Sequence, residues 1–292
     1  NCNLMSKFTE EEIQKILPAK GPSFQEVKNY LEKYNDEYIV IKCGGSVLVN
    51  QDLFKNFIND ISILNKLGFI PIIIHGGGKR ISIKLDKKGI KSDFINGLRV
   101  TDEESINIVE EVLISFNKEI TDALKKNSCD SQGITNKQNN ILTVQQENQE
   151  LGFVGNPKEI NDSVIEKIVK EKKVPVIAPL GLDKDNQVFN INADTTAGAI
   201  AKKLNARRLI IMSDVEGVLD NNKKLISEID SDKIIELIKN ETISGGMIPK
   251  IKNCLDVACN GVKGVCIIDG RLNHSILFEL LSNAGSGTLI RE

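Results

Sequence analysis

Tyr38-Ile39-Val40-Ile41-Lys42-Cys43-Gly44-Gly45-Ser46 is the stretch on which the fold of this chain turns. Its apolar start, rich in β-branched side chains, reads as a strand buried on both faces. The run ends in two glycines, and a helical pattern follows from about Asp52 to Leu67. Glycine lets backbone N–H groups approach an anion closely, and a helix N-terminus adds positive partial charge. Lys42 stands beside the loop as a point charge suited to phosphoryl oxygens. Neither G-x-x-x-x-G-K-[ST] nor G-x-G-x-x-G occurs in the chain, so this is a phosphate site of another design.

The arrangement returns at Pro71-Ile72-Ile73-Ile74-His75-Gly76-Gly77-Gly78-Lys79: strand, glycines, helix. Outward from these two units, apolar strands at 70–75, 174–178, 209–212 and 264–268 alternate with helical patterns. The helices are expected at 79–88, 102–126, 162–172, 194–204, 231–239, 247–259 and 272–283. Short β runs at 141–145 and 151–154 read as hairpins. The alternation predicts an α/β fold with a mainly parallel central sheet covered on both faces. In such sheets ligands bind beyond the C-terminal ends of the strands. Ahead of the first strand, Thr9-Glu10-Glu11-Glu12 opens one short helix as a capping box, and a second spans Ser23 to Lys33. A lobe boundary is expected near residue 180, at the turn Gly181 to Gln187.

The 292 residues allow one large α/β unit or two lobes. A net charge of −2 and 4% aromatics argue against a nucleic-acid binder, which needs a basic face. No apolar run approaches the roughly 20 residues of a membrane span. The six cysteines form no C-x-x-C and no metal-ligand spacing. They read as free thiols in a reducing compartment, which predicts a cytoplasmic protein without a metal site of its own. Glu10-Glu11-Glu12 is unlike a signal or transit peptide. Met5 is the candidate initiator, with residues 1–4 a scar or processing remnant. Six arginines stand against 32 lysines, so each arginine carries more information.

One of them, Arg99 in Gly97-Leu98-Arg99-Val100-Thr101, precedes a helix cap and suits bidentate carboxylate binding; the competing reading is a solvated surface residue. Asn190-Ile191-Asn192-Ala193-Asp194 puts three polar side chains at spacing two where a strand runs into a helix. They read as substrate amides plus a carboxylate that orients cations, or as a helix capped by Asp194. Ser244-Gly245-Gly246-Met247-Ile248-Pro249-Lys250 is a third glycine turn opening a helix, with Pro in its first turn. Two lysines beside such loops are what phosphoryl transfer requires, cations clamped around the oxygens of the moving group. His75 and His274 are the only histidines, and neither belongs to a Ser-His-Asp or metal-ligand set. The His in the glycine turn reads as structural.

At these residues the chain resembles the amino-acid kinase family. Lys42-Cys43-Gly44-Gly45-Ser46, His75 to Gly78, Gly97 to Asp102, Phe153-Val154-Gly155, Asn190 to Asp194, Ser213 to Leu219 and Gly245 to Lys250 occur in the family's order. The match covers about residue 36 to the end. The resemblance implies a three-layer αβα sandwich that transfers the γ-phosphoryl group of ATP, with Mg2+ held mainly by the nucleotide, to the γ-carboxylate of N-acetyl-L-glutamate. It implies that Lys42 and Lys250 stabilise the transferring group, that Asp194 orients them, and that Gly77, Gly78, Arg99 and Asn190 bind the substrate. The nucleotide would meet Gly44 and Gly45, then Asp214, Val215, Glu216, Gly217, Val218 and Leu219, then Thr242, Ile243, Ser244, Gly245, Gly246 and Met247. The implied layout is a helical extension (1–36), an N-terminal lobe for acetylglutamate and dimerisation (37–180), and a C-terminal lobe for ATP and arginine (181–292). The extension and the segment from Ile268 to Thr288 resemble the arginine-inhibited, hexameric branch, with Glu279 and Gly285 at arginine-binding positions. Cys266 stands where that branch usually has His. A nitrogen-signalling protein is a possible partner of that branch.

A sibling kinase acting on an aminoadipyl or glutamyl group carried by a small protein would need a basic acceptor mouth, and no such cluster surrounds Arg99. A regulatory protein that kept the fold and lost catalysis would not need Lys42, Asp194 and Lys250 intact.

Overall fold

The computed structural model describes residues 8–292; Cys2 and Met5 lie outside them. The elements of the first half are α1 (Glu10–Ile16), α2 (Phe24–Tyr34), β1 (Tyr38–Cys43), α3 (Gln51–Lys66), β2 (Ile70–His75), α4 (Gly78–Lys87), β3 (Phe94–Ile95), β4 (Leu98–Arg99), α5 (Glu103–Lys126), β5 (Ser131–Ile134), β6 (Leu142–Gln146), β7 (Gly155–Ile160) and α6 (Asp162–Lys170). There follow β8 (Val174–Ile177), β9 (Leu180–Leu182), β10 (Val188–Asn190), α7 (Ala193–Lys203), β11 (Arg208–Ser213), β12 (Glu228–Ile229), α8 (Ser231–Lys239), α9 (Met247–Cys259), β13 (Val265–Asp269), α10 (Ser275–Leu281) and β14 (Gly287–Ile290).

The main sheet has the order β12-β14-β13-β11-β1-β2-β8-β5. From β13 to β5 all pairs are parallel, and β14 runs antiparallel to β13. The α/β class and the mainly parallel sheet are therefore as the sequence pattern predicts. A second sheet, β10-β9-β6-β7, flanks it. Residue 180 falls at the start of β9, which pairs with β6 on one side and β10 on the other.

Strand alternation sorts the core into two layers. Ile39, Ile41 and Cys43 face α2, α3 and α10, while Val40 faces the layer of α7 and α9. Lys42 shares the face of Val40, so its side chain leaves the sheet on the side where α7 begins. A one-residue slip of β1 would drive the ammonium into the opposite apolar layer, which pins the register. Val27, Leu31 and Tyr34 of α2 are buried in that opposite layer. Both α1 and α2 open with capping boxes, Thr9 with Glu12 and Ser23 with Glu26.

Several local expectations change. The first glycine loop does not run straight into α3: Gly45 has φ +64°, residues Gly45–Leu48 form a 3-10 turn, and Asn50 caps α3. Its side chain accepts from the N–H groups of Asp52 and Leu53, both at 3.0 Å. The N–H groups at 44–46 thus act without the dipole of α3. Residues 151–154 form no continuous strand but two isolated bridges, Gly152 to Thr101 and Val154 to Asn190, and Gly152 has φ +70° with no room for a Cβ beside the Thr101 carbonyl. The partner of β6 is instead β7. The last helix starts at Ser275, since His274 has φ +59° and breaks the pattern expected from 272.

Candidate active site

The C-terminal ends of β1 and β2, the start of α4, β4 and the start of α7 surround a cavity of about 270 Å³. Lys42, Gly44, Gly45, Gly77, Gly78, Arg99, Asn190 and Asp194 line it together. Residues more than 150 positions apart in the chain meet because β1 and β2 are neighbours and α7 crosses over them.

Asp194 is the hub. Its Oδ1 lies 2.9 Å from Lys42 Nζ and its Oδ2 2.8 Å from Lys250 Nζ. One carboxylate thereby holds two ammonium groups side by side. Burial alone would raise the Asp194 pKa, but Lys42 and then Lys250 outweigh it and hold the carboxyl well below the ordinary carboxylate range. The helix cap that competed with this role belongs to Asn192, whose Oδ1 accepts from Thr195 N–H at 3.0 Å.

Arg99 is buried, not a solvated surface residue. It donates to the Gly78 carbonyl at 3.0 Å, to Ser82 Oγ at 2.9 Å and to Ser92 Oγ, and its guanidinium stacks 4.6 Å from the Phe94 ring centroid. Asn190 Nδ2 donates to Thr101 Oγ1 at 3.4 Å, and Thr101 donates to the Arg99 carbonyl at 2.9 Å. The two substrate candidates are therefore linked through one threonine.

His75 is fully buried, and burial pushes its pKa down to about 4, so the ring is neutral at pH 7. Nδ1–H donates to the Gly76 carbonyl at 3.0 Å, and Nε2 accepts from Asn117 at 3.2 Å. It braces the second glycine loop, as the structural reading held.

Apart from Gly44 and Gly45, the nucleotide candidates lie outside the lining of this cavity. Ser244, Gly245 and Gly246 are exposed, as are Val215 and Glu216, whereas the side chains of Val218 and Ile243 are buried in the core. The two segments are tied by Thr242 Oγ1, which donates to Asn221 Oδ1 at 2.9 Å. Cys266, Glu279 and Gly285 cluster away from the cavity. Glu279 Oε2 accepts from Ser286 N–H at 2.6 Å and Gly287 N–H at 3.0 Å, and Gly285 packs against its carboxylate. Burial, then the Glu279 charge, pushes the Cys266 thiol well up.

Sequence reasoning passed over Lys79 and Ser46 and gave Asp214 only a nucleotide-lining role. Asp214 Oδ1 accepts from Ser46 N–H at 2.8 Å, and its Oδ2 accepts from Lys79 Nζ at 2.7 Å. Burial raises the Asp214 pKa, but Lys79 and the Ser46 donor hold it below the usual carboxylate range. The available signal was Lys79 following a glycine run directly. Among the described residues no three His, Cys, Asp or Glu side chains converge as a metal-ligand group, and no helix is long and apolar enough to cross a membrane.

Comparison with known proteins places this geometry. The chain is 69% identical to the acetylglutamate kinase of Pelagibacter ubique (strain HTCC1062) over 288 residues, 99% of this chain and 100% of that protein. It is 43% identical to the acetylglutamate kinase of Campylobacter fetus subsp. fetus (strain 82-40), over 90% of this chain and 94% of the relative. Among solved structures, N-acetylglutamate synthase from Neisseria gonorrhoeae, complexed with coenzyme A and N-acetyl-glutamate, superposes with a TM-score of 0.83 at 22% identity. That match covers 92% of this chain and 62% of the synthase, and shows the shared fold. The family model described as Amino acid kinase family matches residues 37–269, from just before β1 to the last residue of β13. Every cavity-lining residue named above falls inside that span, and the chain belongs to the amino acid kinase family.

Proposed function

We propose that this protein transfers the γ-phosphoryl group of ATP to the γ-carboxylate of N-acetyl-L-glutamate, giving N-acetyl-L-glutamyl 5-phosphate for arginine synthesis. The observation that carries the reading is the Lys42–Asp194–Lys250 bridge beside a cavity that also holds Arg99 and two glycine loops. An ammonium has three donors; Lys250 donates one to Asp194 Oδ2, and Lys42 is ion-paired with Asp194 Oδ1. The remainder are available to the oxygens of the moving group, where charge develops. A carboxylate oxygen of the substrate forms the new bond to phosphorus as the bond to the ADP oxygen breaks. The attacking carboxylate is already ionised and needs no general base. Asp194, kept ionised by its lysines, positions charge and does not take a proton. Arg99 is the candidate partner of the substrate α-carboxylate, with Asn190, Gly77 and Gly78 around it.

Mg2+ belongs in this reading with the nucleotide, bound mainly through its phosphates, as Mg2+ usually binds at such sites. The lobe division at about residue 180 assigns acetylglutamate to 37–180 and the nucleotide to 181–292. Arginine is the proposed inhibitor, at Cys266, Glu279 and Gly285. Support comes from their convergence and from α2 alongside, where Tyr30 donates to Asn283 Oδ1 at 2.7 Å. A hexamer built through the N-terminal helices, a cytoplasmic location and a nitrogen-signalling partner complete the proposal.

The test is ADP release with acetylglutamate, glutamate and aspartate compared side by side. Acetylglutamate alone should support rapid release. Equal rates with all three, or none with any, would refute the substrate.

A further inference from the structure

Lys79 and Asp214 form the one ion pair found between the second glycine loop and the end of β11 among the described residues. Three observations set it apart from a surface pair. Asp214 is anchored by backbone, since its Oδ1 accepts from Ser46 N–H at 2.8 Å, within the first glycine loop. Lys79 reaches the same loop, donating to Ser46 Oγ at 3.2 Å. And Lys79 lines the cavity that Lys42 lines. Along the short loop Gly44-Gly45-Ser46, the positions follow in order. A Cβ on Gly44 would run into Lys42 Nζ, and one on Gly45 would lie 2.6 Å from Asp214 Oδ1. Lys79 Nζ then stands over Ser46. Two ammonium groups, one near the end of β1 and one in the first turn of α4, thus flank one glycine loop, with a carboxylate between Lys79 and the loop N–H.

The two lysines are held differently. Lys42 is buried and pinned on half-buried Asp194, whereas Lys79 is 45% exposed and its partner Asp214 31% exposed. An exposed pair of this kind contributes little to stability, so exchanging one anion for another there is cheap. Asp214 also occupies a loop N–H that a phosphate oxygen would otherwise accept from. A tetra-anionic nucleotide tail reaching this loop competes with the Asp214 carboxylate for both Ser46 N–H and Lys79.

We propose that Lys79 is a third phosphate-facing cation of the active site, which leaves Asp214 for the terminal phosphate of the bound nucleotide. The proposal rests on the phosphoryl-transfer reading above. Lys42 and Lys250 serve the transferring group from the Asp194 side, and Lys79 meets it from the substrate loop. Asp214 holds Lys79 in place until the nucleotide arrives.

The experiment uses the full chain and nucleotide alone, by calorimetry with ATP and with ADP, followed by steady-state kinetics. Lys79→Met should weaken ATP about tenfold to a hundredfold, the worth of one charge-assisted hydrogen bond, and leave ADP within about twofold. Its kcat should fall by a similar factor, and Lys79→Arg should recover most of both. A latch with a purely structural role would weaken ATP and ADP alike, and that result overturns the proposal. So does a Lys79→Met protein that matches the wild type in both measurements. Wild-type protein that binds ATP and ADP but releases no ADP with acetylglutamate would defeat the activity reading instead. The difference in ATP and ADP binding would still decide the Lys79 claim.

Discussion

Asn192 and Asp194 divide the start of α7 between them: Asn192 caps the helix, and Asp194, two residues on, is left free to bridge Lys42 and Lys250. Had Asp194 been the cap, its carboxylate would have been spent on backbone N–H groups. The separation of labour converts an ordinary helix start into a charge-organising site.

Replacing Asp194 by Asn keeps the shape and removes the charge that holds two ammonium groups side by side. We expect kcat to fall by about 10² or more, in the range set by loss of a preorganised electrostatic element. Lys42→Ala or Lys250→Ala should each cost about 10² to 10³ in kcat, with the fold retained. The readout is single-turnover ADP formation alongside circular dichroism. A variant with near-wild-type kcat would remove that residue from the assignment.

Arg99→Lys keeps the positive charge and loses the fork that reaches Gly78, Ser82 and Ser92 at once, together with the stacking on Phe94. KM for acetylglutamate should rise by about tenfold or more while KM for ATP changes little, the loss of one charge-assisted contact. Equal rises in both would place Arg99 in a structural role only.

The buried contact between His274 Nδ1 and Asp60 Oδ1, 2.6 Å long, ties α10 to α3. The hydrogen bond to Asp60 raises the His274 pKa against the effect of burial. A raised folded value means the stabilisation is complete below the unfolded His value of about 6.5 and is lost as pH rises through the folded one. Thermal stability should therefore decline from about pH 6.5 upward. His274→Asn, a residue tolerant of the local φ of +59°, should flatten that slope. An unchanged slope in denaturation curves would dissociate the pair from the pH effect.

Leu31 and Val27 pack beneath β1 and beside α10, so α2 is part of the core. Leu31→Ala should cost about 2–5 kcal/mol in urea denaturation. A deletion ending at residue 22 removes α1 and spares this packing. With arginine as proposed inhibitor, that deletion should leave a smaller, active oligomer with little inhibition. Glu279→Ala should weaken inhibition at constant kcat, and Cys266→His should strengthen it. Activity against arginine, with size by light scattering, is the measurement. A hexamer indifferent to millimolar arginine would refute the regulatory proposal and leave the kinase proposal intact.

Much of this molecule was legible in its sequence because the signals are local. Runs such as 38–42 and 70–75 announce buried strands by composition, a capping box marks α1, and the glycines after each run mark where the strand ends. The apolar run 38–41 put Lys42 on a strand, and a glycine turn with Pro249 behind it put Lys250 on the first turn of a helix. What local pattern could not supply was which long-range pairs would form. That the cap is Asn192 and the hub Asp194 depends on where α7 lies over β1. That position 45 calls for glycine follows from its φ of +64° and from Asp214 filling the space a Cβ would take. The Lys79–Asp214 pair joins positions 135 residues apart and leaves no periodic trace in the chain. Composition and spacing determine the elements and their faces, since each rests on the backbone's own preferences. The meeting of charges at the site is decided by sheet order and helix crossing, because Coulomb energy depends on separation in space and not along the chain.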